Sequence, residues 1–315
     1  MASVGPTAAG KSALALALAE HWPGEIINYD SVQLYRGFDI GSGKVPSGER
    51  RGLAHHLLDV LEPDQVFTAG DYCRAALSVL EDIRERGCLP ILVGGTGLYL
   101  RALLVGLFEG PPRSETLRAR LRQIAGRRNP QFLHRLLVRL DPDRAAQIER
   151  PDMQKVIRAI EVCLLARQPM SRLLESGRAG LRGFRVYKIG LNPARHALYE
   201  RINGRVEQMF ATGLLDETRA MLARPDAGRL KPLGAVGYRQ ACDVLRGVLS
   251  VADAVRAAQT ATRHYAKRQL TWFRRETDVT WFEGMGDTPE IQQQVLLWLE
   301  LRLHPAATNE ERTAQ

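Results

Sequence analysis

Cysteine is scarce in this chain: four occur in 315 residues, and Cys73, Cys88, Cys163 and Cys242 stand far apart, without the close pairs that ligate zinc. That spacing suggests neither a zinc site nor a disulfide framework, and leaves reduced, partly buried thiols. No apolar run approaches the length needed to span a bilayer, and the N-terminus lacks the charged, apolar and small-residue order of a signal peptide. A cytoplasmic location is therefore expected. No internal repeat is apparent. Acid is also in short supply, 35 Asp and Glu against 44 Lys and Arg, for a net charge of +9. Such a balance favours polyanionic partners without identifying one.

What the chain has is a phosphate-cradling sequence within its first dozen residues, Gly5-Pro6-Thr7-Ala8-Ala9-Gly10-Lys11-Ser12. In this pattern glycines let backbone N–H groups converge on an anion, the lysine adds a point charge and the hydroxyl can ligate Mg²⁺. The run Ser12 to Glu20 carries Leu14 and Leu18 at helical spacing, so the loop opens a helix whose N-terminal dipole also favours an anion. Only Met1 to Val4 precede the loop, whereas such loops normally hang from a strand of about five or six residues. Either the first strand is short or the true start lies upstream.

Farther on, Glu25 to Asn28 reads as a strand whose carboxyl end delivers Tyr29-Asp30-Ser31-Val32-Gln33 to the edge where open α/β sheets bind ligands. Ala76, Val79, Leu80 and Ile83 mark a helix, Pro90 to Val93 a buried parallel strand, and Gly94-Gly95-Thr96-Gly97 a turn into a second helix over Leu98 to Val105. This alternation predicts an α/β fold, a doubly wound parallel sheet with the phosphate loop on one strand. Beyond Pro111-Pro112 the pattern is helical, with stripes at Leu133, Leu136, Leu137 and Leu140 and at Val156, Ile160, Cys163 and Leu164. From Arg113 to Arg150 ten arginines face four acids. Gly177 to Gly183 reads as the exit, after which Val186 to Leu191 resumes a strand, Leu198, Ile202 and Val206 define a helix, Thr262 to Arg275 another, and Val279 to Phe282 a closing strand. Arg263, Lys267, Arg268, Arg274 and Arg275 decorate the 262–275 helix without one acid.

The chain resembles the tRNA dimethylallyltransferases of bacterial type. The resemblance is carried by the phosphate loop, Asp30-Ser31-Val32-Gln33-Leu34-Tyr35-Arg36-Gly37 with Asp39-Ile40-Gly41, His55-His56-Leu57-Leu58-Asp59, Gly94-Gly95-Thr96-Gly97-Leu98-Tyr99, Arg158-Ala159-Ile160-Glu161, Gly237-Tyr238-Arg239-Gln240 and Lys267-Arg268-Gln269-Leu270-Thr271-Trp272-Phe273. It implies a P-loop-type parallel sheet core flanked by helices with a small all-helical insertion: residues 1–112 the first part of the core, 113–183 the tRNA-contacting insertion, 184–304 the return to the core, and 305–315 a disordered tail. It also implies a monomer that transfers a dimethylallyl group from dimethylallyl diphosphate to N6 of adenosine 37, beside the anticodon of tRNA. The departures are the short first strand, Tyr29 where a small or hydroxyl residue is usual, Cys163 where an aromatic is common, and the lack of the zinc-finger tail of some eukaryotic relatives.

Roles follow from the resemblance. Asp30 would be the base that takes the N6 proton, with Thr96 orienting the nucleotide or the diphosphate. Gly5, Thr7, Ala8, Ala9, Gly10, Lys11, Ser12 and Arg205 would hold the diphosphate, with Mg²⁺ partly on Ser12. Asp30, Ser31, Val32, Gln33, Thr96, Arg118, Gln154, Lys155, Val156, Ile157, Arg158, Ala235, Val236, Gly237, Tyr238, Arg239, Gln240, Lys267 and Arg268 would meet tRNA, whereas His55 and His56 read as structural. Two other readings stand beside this one. A P-loop kinase of a nucleotide or small metabolite would use the same loop and sheet, and a non-catalytic nucleic-acid-binding module would explain the charge.

Overall fold

Three residues suffice for the first strand because both its edges are paired. β1 (Ala2–Val4) is fully buried and runs parallel to strands on either side, Ser3 opposite Val93 and Ile189. The computed structural model describes residues 1–108, 110–128, 131–175 and 180–303; the expected tail over 305–315 and residues 177–179 of the expected exit lie outside them. The chain divides into two compact units, Met1–Leu103 with Gly183–Gln315, and Leu104–Arg182.

In the larger unit α1 (Lys11–His21) follows the phosphate loop. Then come β2 (Gly24–Asn28), β3 (His55–His56), α2 (Ala69–Glu85), β4 (Leu89–Val93) and α3 (Gly97–Leu104). The smaller unit is helical among its described residues: α4 (Glu115–Arg127), α5 (Gln131–Leu140), α6 (Pro142–Gln147), α7 (Met153–Ala166) and α8 (Met170–Glu175). The larger unit resumes with β5 (Lys188–Leu191), α9 (Arg195–Ala211), α10 (Leu214–Leu222), α11 (Tyr238–Leu245), α12 (Val251–Phe273), β6 (Val279–Phe282) and α13 (Pro289–Leu303).

The six strands form one sheet in the order β3-β2-β4-β1-β5-β6, every pair parallel. Such a sheet is covered on both faces and its strands read as near-continuous apolar runs, as Ile26-Ile27 and Ile91-Leu92-Val93 do. Leu14 and Leu18 of α1 pack with Ile26, Ile91, Ile189 and Val295 in one core cluster. Tyr72, Ala76, Leu80 and Ile83 bury the inner stripe of α2, whose start is fixed by a capping box between Thr68 and Asp71. With β1 central, the loops after β1, β2 and β4 open at the same carboxyl edge, the usual ligand edge of such sheets.

The helical unit has its own core of Leu121, Leu133, Leu137, Val156, Ile160 and Cys163. Leu164, expected in the stripe of α7, is 45% exposed; the buried face of that helix runs through Val156, Ile157, Ala159, Ile160 and Cys163 instead. Beneath it lies Glu161, fully buried, whose carboxylate accepts hydrogen bonds from Arg118 (2.9 and 2.8 Å), Arg158 (2.7 Å) and the Ser114 amide (2.8 Å). Burial alone would push this carboxyl up, but those donors outweigh it and hold it at about 2.

Glu161→Ala strands two guanidinium groups, so it should destabilise the helical unit by about 3 kcal/mol, read by urea denaturation. Because the folded carboxyl lies below its ordinary value, its contribution is complete above pH 4.5 and is lost as pH falls toward 2. A variant with an unchanged urea midpoint at neutral pH would show that the ion cluster carries no net stability.

Candidate active site

The phosphate loop leaves β1 through buried Gly5 and turns into α1 at Gly10, whose φ of +82° is left-handed. A Cβ there would come within 2.7 Å of the Gly286 amide nitrogen, so both conformation and space demand glycine. The cap carries no side-chain hydrogen bond and the first turn of α1 no acid. The opening amides therefore stay available to an anion. Lys11 is buried and donates to Gly5 O (3.1 Å) and Pro6 O (2.6 Å), while Ser12 is exposed beside it. Thr7 differs from the rest of the loop: its N–H is already taken by Gln269 Oε1 at 2.7 Å.

Asp30 stands just past β2, among groups that fix its carboxylate. The Val32 amide donates to Oδ1 at 2.9 Å, and Asn28 Oδ1 accepts the Asp30 amide at 2.9 Å. Burial raises the Asp30 carboxyl above its ordinary value, against the pull of the Val32 and Gln33 amides and of the Lys11 and Arg205 charges. Lys11 is shifted the other way, down to about 7, by burial and then by Arg205, with Asp30 opposing. Arg205 too is lowered, chiefly by burial. Two buried cations thus face one carboxylate, and an anion entering this space relieves both repulsion and desolvation.

Asp30 also marks where two cavities meet. The larger, about 950 Å³, is polar and includes Lys11, Ser12, Gly94, Gly95, Arg201 and Arg205 in its lining. The smaller, about 340 Å³, is walled by Ile202, Val206, Met209, Phe210, Leu214 and Val236. Thr7, Ala8, Asp30, Ser42, Arg205 and Tyr265 belong to both.

Between them stands the 39–44 segment, held from several directions. Glu217 on α10 accepts the amides of Asp39 (3.0 Å), Ile40 (2.8 Å) and Gly41 (3.2 Å), and Tyr238 donates its hydroxyl to the same carboxylate at 2.5 Å. Buried Lys44 donates to Asp39 and Asp59, both at 2.5 Å. Gln33 donates to Ser42 O (3.1 Å) and Gly43 O (3.3 Å), and Arg205 donates to Gly43 O at 3.3 Å. Thr96, opposite, accepts the Ser31 amide at 3.0 Å and donates to Ser31 Oγ at 3.1 Å.

The structure therefore brings together the loop residues Gly5 to Ser12, Asp30 to Gln33, Thr96 and Arg205, and sets Ala235, Val236 and Gly237 along the apolar cavity. Tyr238 is buried with its hydroxyl on Glu217, and Gln240 caps α11 through the Gly237 amide at 2.9 Å; Arg239 beside them is exposed. Lys267 and Arg268 are exposed on α12. In the helical unit Gln154 and Lys155 are exposed, Val156 and Ile157 lie in the core, and Arg118 and Arg158 are engaged by Glu161. His55 bonds to Leu53 O at 2.9 Å and His56 to Glu25 at 2.6 Å, away from both cavities. Sequence reasoning passed over Gln269 and Glu217, whose loop partners lie 174 to 262 positions away. The only local signal for Gln269 was its place between basic residues on an otherwise one-signed helix. All four cysteines are free, and no helix among the described residues is long and apolar enough to cross a membrane.

The family model described as IPP transferase matches residues 33–276. The chain is 52% identical over 296 residues to a protein of Solibacter usitatus (strain Ellin6076) named tRNA dimethylallyltransferase, covering 94% of this chain and 96% of that one. It is 55% identical over 289 residues to one of the same name from Koribacter versatilis (strain Ellin345), covering 91% and 94%. Among solved structures it is similar to the full-length tRNA isopentenylpyrophosphate transferase of Bacillus halodurans, with 36% identity, a TM-score of 0.71 and 98% of each chain covered. A eukaryotic dimethylallyltransferase acting on tRNA shares the fold at a TM-score of 0.82 and 24% identity, covering 98% of this chain and 80% of that one.

Because Lys11 titrates near pH 7 in the free site, inorganic pyrophosphate bound at pH 8 should draw a proton onto it. Calorimetry in buffers of different ionisation enthalpy should then find wild type taking up more protons than Lys11→Met, by up to about one per ligand. Equal uptake by the two proteins would remove Lys11 from the anion site.

Proposed function

The chain belongs to the IPP transferase family, and from that premise we propose that it transfers a dimethylallyl group from dimethylallyl diphosphate to N6 of adenosine 37 in tRNA, releasing diphosphate. The observation that carries this reading is the position of Asp30, where the polar cavity over the phosphate loop meets the apolar one. A kinase would leave the basic, acid-free face over residues 262–275 without a use.

An adenine exocyclic amine is a poor nucleophile, since its lone pair is delocalised into the ring. In the proposed reaction Asp30 accepts a hydrogen bond from N6 and takes its proton as the C–N bond forms and the allylic C–O bond breaks, leaving its electron pair on diphosphate. Positioned acid–base catalysis of this kind contributes about 10²–10⁴-fold, and the raised basicity of Asp30 suits it. Lys11, Arg205 and the amides of Ala8 to Ser12 meet the negative charge that develops on the leaving group. Thr96 holds Ser31, and with it the start of the segment that carries Asp30 toward the target base.

The residues present suit Mg²⁺. Ser12 offers a hard hydroxyl oxygen at the mouth of the phosphate cavity, and among the described residues no group of three or more His, Cys, Asp or Glu could hold a metal. That donor set fits an ion that keeps most of its bonds to substrate phosphate and water. When bound, Mg²⁺ supplies charge neutralisation to the diphosphate.

On the RNA side, an adenosine unpaired in the anticodon loop is flipped toward Asp30 at a cost of a few kcal/mol. Ser31, Val32 and Gln33 lie nearest the base, while Arg239, Lys267, Arg268, Gln154 and Lys155 present exposed polar or cationic side chains to the stem-loop. In this reading the protein acts as a monomer in the cytoplasm, where its tRNA substrate is found.

The direct test incubates the protein with unmodified tRNA, Mg²⁺ and radiolabelled dimethylallyl diphosphate. Label should enter the RNA; ATP consumption without transfer would favour a kinase instead. Asp30→Ala should abolish transfer while tRNA affinity stays within several-fold, and normal turnover by that variant would overturn the base assignment. Replacing both Lys267 and Arg268 by Ala should weaken tRNA binding and reduce the slope of log affinity against log salt by about 1.5 to 2. An unchanged slope would take these side chains off the phosphates.

A further inference from the structure

Gln269 spends both ends of one buried amide on the two loops between which the chemistry must occur. Its Oε1 accepts the Thr7 N–H of the phosphate loop at 2.7 Å, and its Nε2 donates to Gly95 O at 2.9 Å. The residue is only 5% exposed, so neither bond is shared with bulk water. Gly95 in turn is the shelf on which Asp30 rests: a Cβ there would lie 3.0 Å from Asp30 Oδ2 and 2.6 Å from Gln269 Nε2. One turn earlier on α12, Tyr265 adds its hydroxyl to Gly95 O at 3.3 Å.

The phosphate loop follows β1, the shelf follows β4 and Asp30 follows β2, and these strands are neighbours in the order β2-β4-β1. A displacement reaction needs the nucleophile and the departing group held in line at a fixed separation, and an error of about 1 Å can cost about 10²-fold in rate. Sheet hydrogen bonds fix the strand ends but not the loops beyond them. Gln269 is a direct side-chain strut between those loops, and it stands on the helix that also carries exposed Lys267 and Arg268.

We propose that Gln269 is a positioning residue, setting the distance between the diphosphate cradle and the Asp30 shelf and tying both to the RNA-facing helix. The inference rests on the transferase reading above. By occupying the Thr7 amide, Gln269 also leaves the anion to the amides that follow it.

The test measures transfer kinetics with unmodified tRNA, dimethylallyl diphosphate and Mg²⁺ for wild type, Gln269→Leu and Gln269→Glu. Gln269→Leu loses both bonds, so kcat should fall about 30- to 100-fold and the KM for the prenyl donor should rise, while the Kd for tRNA stays within about twofold. Gln269→Glu keeps an acceptor for Thr7 but loses the donor to Gly95 and adds a negative charge beside the diphosphate cradle, so kcat should fall and donor KM rise while tRNA affinity stays within about twofold. Its new carboxylate joins Lys11, Arg205 and Tyr265 around Asp30 and should move the acid limb of the kcat/KM profile to higher pH by about half a unit or more. A residue that merely packs α12 would not produce the split between kcat, donor KM and tRNA affinity. The proposal is overturned if Gln269→Leu stays within about threefold of wild type in kcat and donor KM, or if its activity falls only in step with tRNA affinity. Should Gln269→Leu fail to fold, Gln269→Glu decides, because it loses the Gly95 bond: a kcat within about threefold of wild type counts against the strut, and a lower kcat with unchanged tRNA affinity supports it. An active wild type with an indifferent Gln269 sinks this proposal alone, whereas a wild type that transfers nothing sinks the transferase reading with it.

Discussion

Everything at the carboxyl edge of this sheet depends on an excess of buried positive charge. Lys11 is depressed by burial and by Arg205, Arg205 by burial and by Arg201, and the single Asp30 carboxylate opposes both shifts. Such a site is costly to fold without an anion and is correspondingly receptive to one. The same cations oppose the rise in Asp30 basicity, so a single arrangement of charge governs both the grip on a phosphate group and the strength of the base. The parallel sheet makes this affordable by anchoring the short β1 on both edges, so that the loop starts from a rigid point.

The 39–44 segment shows how a cavity wall can be polar inside and silent outside. Three successive amides, each able to bind an anion, are consumed by Glu217, and Lys44 is consumed by two aspartates. The amides opening α1 carry no side-chain cap, which leaves them to direct an anion to that place. Gln269 extends the same economy by occupying the Thr7 amide.

Much of this was legible in the sequence because the informative residues are close together in it. Gly5 to Ser12 declares a phosphate loop by spacing alone, and the apolar runs at Ile26-Ile27 and Pro90 to Val93 declare buried parallel strands. Two-residue β3 is too short to leave a pattern, and strand order leaves none at all. Tyr238 and Gln240 sit in a motif that reads as RNA-facing, yet a buried hydroxyl must find an acceptor and a helix start must find a cap, and those local needs claim both side chains. Val156 and Ile157 go to the helical core for the same kind of reason: the apolar face of α7 is wider than one stripe. Gln269 and Glu217 were opaque because the backbone groups they hold, at Thr7, Gly95 and Asp39 to Gly41, are brought from the far end of the chain.

That last property has a consequence for the newly made protein. A ribosome delivers the N-terminal half first, so a nascent chain that has emerged through α3 already owns the phosphate loop, Asp30 and Thr96. It does not yet own Arg205, Glu217, Tyr265 or Gln269, all of which follow residue 200. The wall, the second cation and the strut all come from the later part of the chain, so the site is complete only once that part has been made and folded back onto the N-terminal strands.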